Sequence, residues 1–162
     1  MNFKAIILAA GKGTRMKSKY PKVVHKVCGK EMVNHVISVS KKSGVNDIVA
    51  ILGHESDVVK EKLPKDTMIA MQTDQLGTGH AVMMAKEYIN DNDTIVVLCG
   101  DTPLVKEETL KRLFDYHIEH GYHATVLTTT VDNPTGYGRI IRDENKDLLK
   151  IVEQKDANEE EK

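Results

Sequence analysis

The chain has 162 residues, 40% hydrophobic and 29% charged, with a formal net charge of -1 and a pI near 6.7. That length suits one domain with a real core, and the composition is that of a globular chain rather than a disordered or fibrous one. The pI argues against general nucleic-acid binding, and no apolar run approaches the roughly 18 residues that span a bilayer. The small net charge hides an asymmetry. Met1 to Lys30 carries Lys4, Lys12, Arg15, Lys17, Lys19, Lys22, Lys26 and Lys30 with no Asp or Glu, whereas Asp143 to Lys162 carries eight carboxylates against four lysines. Lys4 interrupts the first apolar stretch and no small-residue cleavage site follows, which argues against a signal peptide. Cys28 and Cys99 lie far apart without a CxxC partner. They read as buried or incidental thiols of a reducing cytoplasm, with no structural zinc.

In chain order, Phe3–Ala9 reads as an apolar strand. Glu31–Ser43 reads as a helix with Met32, Val36 and Val39 on one face and Gly44 as its stop. Asp47–Leu52 is the next strand, Ser56–Leu63 a short helix closed by Pro64, and Met68–Gln72 a third strand. Thr78–Ile89 has Ala81, Met84, Ala85 and Tyr88 at helical spacing. Thr94–Cys99 is a fourth, strongly apolar strand. Lys106–His120 is a helix with Leu110, Leu113, Phe114 and His117 in step, stopped by Gly121. Ala124–Val131 reads as another strand, and Gly138–Arg142 and Leu148–Glu153 as shorter strands around a turn at 143–146. Strand and helix in alternation predict an α/β fold with a mostly parallel sheet between two helical layers, over one domain of residues 1–162. Ligands on such sheets bind at the carboxyl ends of the strands. Ala157 to Lys162 is charged and expected to fray.

Four strings carry chemistry. The first strand empties into Gly11-Lys12-Gly13-Thr14-Arg15-Met16, with Pro21-Lys22 beyond. Small residues let backbone N–H groups approach phosphate oxygens, and Lys and Arg neutralise their charge. The string fails the dinucleotide fingerprint, because Met16 stands where a third glycine belongs. It fails the P-loop pattern because Thr14, not Lys, follows Gly13. Second, Gly100-Asp101 ends the most apolar strand. A carboxylate there either caps the turn at Thr102 or holds a hard cation such as Mg²⁺ together with substrate phosphates. Third, Gln72 precedes Gln75-Leu76-Gly77-Thr78-Gly79-His80. A glutamine amide donates and accepts, which suits a pyrimidine edge. The same string also reads as a helix start capped by Thr78. Fourth, Thr135-Gly136-Tyr137-Gly138-Arg139 and then Glu153 read either as open backbone and a carboxylate for sugar hydroxyls or as a plain hairpin turn. His117, His120 and His123 do not fall at a zinc spacing, since Gly121 ends their helix.

Leu8-Ala9-Ala10-Gly11-x-Gly13-Thr14-Arg15-Met16 with Pro21-Lys22 resembles the nucleotide loop of the sugar-1-phosphate nucleotidyltransferases. Gln75-Leu76-Gly77-Thr78-Gly79-His80-Ala81, Gly100-Asp101-Thr102-Pro103-Leu104 and Pro134-Thr135-Gly136-Tyr137-Gly138-Arg139-Ile140 narrow the likeness. They are similar to the uridylyltransferase (pyrophosphorylase) domain of the bacterial bifunctional enzymes that make UDP-N-acetylglucosamine. The resemblance implies a Rossmann-like, three-layer nucleotide-diphospho-sugar transferase fold. It implies transfer of UMP from UTP to N-acetylglucosamine-1-phosphate with Mg²⁺ as cofactor, in the cytoplasm, for cell-wall precursor synthesis. It places Leu8, Ala9, Ala10, Gly11 and Gly13 around the nucleotide, and Gln72, Gln75, Gly77 and Thr78 on the uracil. Arg15 and Lys22 fall on the phosphates as the catalytic cations, Asp101 on the metal, and Gly138 and Glu153 on the sugar.

The family pattern continues past Lys162 with two further asparagines, one toward the sugar and one toward the metal, and then with an acetyltransferase half. The resemblance therefore implies a sheet cut short on its C-terminal side, whose unpaired edge is an expected surface for self-association. Three readings follow for the chain: an active nucleotidyltransferase, a non-catalytic UTP-binding module, and a subunit that needs residues from elsewhere.

Overall fold

The computed structural model describes residues 2–11, 13, 16–53 and 55–161. They form two compact units, Met1–Glu119 and His120–Lys162. The first begins with β1 (Asn2–Leu8), followed by a short antiparallel pair, β2 (Lys26–Val27) and β3 (Lys30–Glu31). Then come α1 (Met32–Lys42), β4 (Asp47–Leu52), α2 (Ser56–Lys60), β5 (Met68–Met71), α3 (Thr78–Met83), β6 (Asp93–Cys99) and α4 (Glu107–His120). Among the described residues β5, β4, β1 and β6 lie side by side in that order, and every pairing is parallel. Chain order runs one way from β1 through β4 to β5, and the other way from β1 to β6. The β1–β6 boundary is therefore the switch point of the sheet, where a crevice opens at the carboxyl ends of the strands.

Alternation along the strands builds two cores. Ala5, Ile7, Ile48, Ala50, Leu52 and Val96 point to one face, under Val33, Val36 and Ile37 of α1, Val59 of α2, and Leu110 and Phe114 of α4. Phe114 stacks on Phe3 with ring centroids 4.7 Å apart. Such a pair adds about 0.5–1.5 kcal/mol beyond the area it buries. Ile6, Val49, Ile51 and Ala70 point to the other face, under Ala81 and Ala85. Both faces are thus covered, in the three layers that the alternation predicts. No helix among the described residues is long and apolar enough to cross a membrane.

A lysine inside a buried strand needs an explanation. Lys4 is 8% exposed. Its ammonium pairs with Asp93 at 2.8 Å and donates to the Tyr88 carbonyl at 2.6 Å. Since a buried charge is tolerated only when paired and hydrogen-bonded, this cluster ties β1 to β6 and to the segment after α3.

Several expected elements are shorter than their apolar patterns. The helix expected over Ser56–Leu63 ends at Lys60, and Lys62 and Leu63 make tighter three-residue bonds to Val59 and Lys60 ahead of Pro64. The helix expected over Thr78–Ile89 ends at Met83. Tyr88 explains the break: its hydroxyl donates to Ile69 of β5 at 2.9 Å while its carbonyl accepts from Lys4. Held at both ends to the sheet, it pulls Lys86–Tyr88 into a 3-10 turn.

In the second unit β7 (Arg139–Arg142) and β8 (Leu148–Val152) form an antiparallel hairpin. Asp143 shapes its turn by accepting from Asn145 N–H and Asp147 N–H, each at 2.9 Å. The strand expected over Ala124–Val131 is not formed; the segment is irregular. Val126, Leu127 and Val131 are exposed. β-Branched composition gives strand propensity but no hydrogen-bonding partner, and among the described residues this segment has no ladder neighbour.

Candidate functional site

The carboxyl ends of β1 and β6 wall a cleft of about 530 Å³, lined by Leu8, Gly11, Gly13, Met16, Lys22, Val23, Thr78, Cys99 and Asp101. Two glycines let the strand ends approach. A Cβ on Gly53 would stand 2.7 Å from the Ala10 carbonyl oxygen, and one on Gly100 would stand 3.0 Å from that of Leu8. Gly100 N–H donates to that Leu8 oxygen at 2.9 Å, so pairing continues past the formal end of β6 and delivers Asp101 to the mouth of the cleft.

Gly13 has φ +58°, in the left-handed region where glycine is favoured. A Cβ there would lie 2.8 Å from Lys22 Cβ and 3.1 Å from Lys22 N. Gly13 is therefore packed directly against Lys22. Lys22 begins a 3-10 turn over Lys22–Val24, and its ammonium donates to Asp101 Oδ2 at 2.8 Å. The two side chains are 38% and 35% exposed. At that exposure an ion pair is worth only about 0–1 kcal/mol. Both partners are near solvent and held weakly, which is what a site needs if ligand groups are to take over each of them.

The string from Gln72 to His80 folds differently from its simplest reading. Gln72 is 4% exposed. Its amide nitrogen lies 3.0 Å from the Gly77 carbonyl and 3.2 Å from His80 Nδ1. Gln75 donates to the Ala10 carbonyl at 2.7 Å, which latches the segment before α3 onto the end of β1. Gly77, at φ +101°, occupies the N-cap position, so Thr78 is the first residue of α3 rather than its cap. Ala9 and Ala10 are buried beneath the cleft rather than lining it.

Of the residues expected at the site, Leu8, Gly11, Gly13, Lys22, Thr78 and Asp101 are thus brought to one cleft. Gln72, Gln75 and Gly77 form the adjoining segment. Arg15 lies outside the described residues. Gly138 and Glu153 belong to the second unit, where Glu153 is exposed and lines a shallow hollow with Gly136, Gln154 and Lys155. There Arg139 pins the preceding loop by donating to the carbonyls of Pro134 and Tyr137 at 2.9 and 2.6 Å.

Met16, Val23 and Cys99 line the cleft without having been assigned a role from the sequence, and of these Cys99 carries reactive chemistry. Both cysteines are free and reach solvent, although the Cys99 thiol is partly desolvated by the strand end around it. Only the placement of Cys99 two residues before Asp101, at a strand end, could have flagged it. Burial of the thiol pushes its pKa up, the Asp101 carboxylate adds to the rise, and Lys22 opposes it. A raised thiol pKa leaves less thiolate at neutral pH. Cys99 should therefore alkylate more slowly than a free cysteine, and faster as pH rises. A nucleotide in the cleft should slow it further while leaving Cys28 unaffected. Iodoacetamide labelling followed by peptide mass spectrometry, with and without nucleoside triphosphate, checks both statements.

A family model described as nucleotidyl transferase matches residues 4–160. The bifunctional protein GlmU of Clostridioides difficile (strain 630) is 85% identical over 162 residues, and that of Alkaliphilus oremlandii (strain OhILAs) is 59% identical. Each match covers 100% of this chain and 35% of the relative, so the chain spans about a third of the length of these curated relatives. Among solved structures, Rv0371c from Mycobacterium tuberculosis H37Rv is similar with a TM-score of 0.61 at 22% identity, over 70% of this chain and 59% of that one. A nucleotidyl transferase from Methanothermobacter thermautotroptrophicus (Mth528) is similar with a TM-score of 0.61 at 19% identity, over 71% and 57%. At those identities the likeness is one of fold. A match running from Lys4 to Glu160, on a parallel sheet whose crevice opens at its switch point, places this chain in the nucleotidyl transferase family.

Proposed function

We propose that this chain supplies a uridylyltransferase site: UMP passes from UTP to N-acetylglucosamine-1-phosphate, giving UDP-N-acetylglucosamine and pyrophosphate for cell-wall precursor synthesis. On this reading both compact units belong to one nucleotidyltransferase domain. The observation that carries it is the Lys22–Asp101 pair at the mouth of the cleft, beside a loop folded on glycine. A cation for phosphate and a carboxylate for a metal stand within one hydrogen bond of each other.

The chemistry asks little else of the protein. An oxygen of the sugar phosphate, already anionic at neutral pH, attacks the α-phosphorus of UTP. The bond from that phosphorus to the bridging oxygen of the β-phosphate breaks, and pyrophosphate departs with the electron pair. No general base is required. The work is to hold two anions together and neutralise developing charge. Lys22 leaves Asp101 for the polyphosphate. Backbone N–H groups near Gly11 and Gly13 accompany it. Gln72 and the Gly77-Thr78 segment take the uracil, Leu8 flanks the nucleoside above a floor formed by Ala9 and Ala10, and Gln75 holds that segment to β1. Arg15 adds a second cation to the phosphates, and Gly138 and Glu153 receive the sugar.

The residues fit Mg²⁺. Asp101 offers hard carboxylate oxygens, its present partner is already a cation, and such an ion is commonly held by one or two carboxylates with substrate phosphates and waters. When bound it would supply charge neutralisation at the phosphates.

Competition among the four nucleoside triphosphates for labelled UTP tests the reading. Displacement by UTP with little by ATP or GTP supports it; equal displacement by purines contradicts it. Self-association along the open side of β6, beside exposed Ile95 and Val97, is proposed with it. A mass that rises with concentration in sedimentation equilibrium supports that surface, and a single-chain mass throughout rejects it.

A further inference from the structure

We propose that His80 is a positioning residue for base selection: it takes one hydrogen of the Gln72 amide, so that Gln72 faces a bound base as an acceptor and not as a donor. The inference rests on the reading of Gln72 as a base-contacting residue and deepens it by naming the base chemistry.

The argument starts from what each partner can do. A carbonyl oxygen cannot donate, so the Gln72 atom that sits 3.0 Å from the Gly77 oxygen must be the amino nitrogen. That fixes which way the amide faces in this structure. The same nitrogen lies 3.2 Å from His80 Nδ1. An amide nitrogen has no lone pair to offer, so Nδ1 must accept, and the proton of the neutral ring sits on Nε2. Both amide hydrogens are then engaged, one by Gly77 and one by His80. Oε1 remains, and among the described residues no hydrogen bond to it is found. Burial of the side chain keeps water from freely substituting for these partners.

An amide reduced to an acceptor discriminates by chemistry. The imide of uracil or thymine presents an N3–H donor to it. Cytosine presents a bare N3 lone pair, and acceptor facing acceptor leaves both groups unpaired in a desolvated site. Removing the imidazole leaves the Gly77 carbonyl alone to hold the amide, which can then turn its amino group toward cytosine N3. The ligand class is therefore a nucleoside triphosphate with an imide base. His80 acts through Gln72 and does not itself touch the base.

The test is the ratio of UTP to CTP affinity, measured by calorimetric titration of the full chain, with inorganic pyrophosphate as the probe of the phosphate side. The wild-type chain should prefer UTP. His80→Ala should reduce that preference about fivefold or more, the loss expected for one net hydrogen bond, with pyrophosphate affinity unchanged. His80→Asn, whose side-chain oxygen can accept where Nδ1 does, should restore most of it. In the wild-type chain, nitrogen-15 NMR of the ring should give the tautomer protonated at Nε2. A preference that survives intact in His80→Ala, or a ring protonated at Nδ1, overturns the positioning role while leaving the base reading standing. A wild-type chain that binds UTP and CTP alike overturns the base reading itself, and the role of His80 with it.

Discussion

Replacing Asp101 with asparagine is expected to lower Mg²⁺-dependent pyrophosphate release about 10²–10³-fold, the range for losing one well-placed electrostatic contact to a transition state. The amide keeps the shape of the carboxylate but not its charge, and a hard divalent cation then loses its protein anion. Binding of UTP without metal should be largely kept, because the loop after β1, Lys22 and the Gly77-Thr78 segment are untouched. Stability should hardly change. The Lys22–Asp101 pair that is lost is more than a third exposed on both sides, and such pairs are worth at most about 1 kcal/mol. Steady-state assays across a Mg²⁺ series, with a thermal melt of the same sample, separate the two effects. Full activity in Asp101→Asn would remove the carboxylate from the metal role.

Gly13→Ala is expected to have the second-largest effect, for a reason that is conformational. Its φ of +58° costs a side-chain-bearing residue about 1 kcal/mol. The added methyl would also stand 2.8 Å from Lys22 Cβ, closer than carbon atoms approach, with Lys22 N only 3.1 Å away. Backbone must move, and Lys22 moves with it. Since no core residue is involved, the melting temperature should fall only a few degrees. Triphosphate affinity should fall on the order of tenfold, as expected when one charge-assisted contact worth about 1.5–3 kcal/mol is weakened. Isothermal titration with UTP checks this, and undiminished affinity would mean that the glycine does not hold Lys22 to its task.

Much of the fold could be read in the sequence where burial alone decides structure. Asp47–Leu52 is buried almost throughout, and its apolar run marks β4 to the residue. The helical face Met32, Val33, Val36 and Ile37 is likewise plain, and Gly44, at φ +92°, closes it. Elements failed to be legible where a partner distant in sequence decides. Tyr88 ends a helix early because Lys4 and Ile69 hold it, and no window around residue 88 contains either. Ala124–Val131 has the composition of a strand without a neighbour to pair with.

The site divides in the same way. Leu8, Gly11, Gly13, Lys22, Thr78 and Asp101 could be gathered from motifs, because glycines and charges at strand ends report local requirements. Gln72 was legible as an amide of interest, but its burial and its two partners were not, since Gly77 and His80 reach it only after the segment folds back. Cys99 was passed over because an isolated cysteine on an apolar strand looks like any core residue. Its exposure follows from β6 standing at the sheet's edge, and that is a property of topology.

The most direct measurement is pyrophosphate release by the purified 162-residue chain with UTP, N-acetylglucosamine-1-phosphate and Mg²⁺, run beside an EDTA control. The account predicts release that requires both substrates and stops when the metal is chelated. UTP that binds without any release would contradict it, and would make this chain a recognition module whose chemistry needs residues from elsewhere.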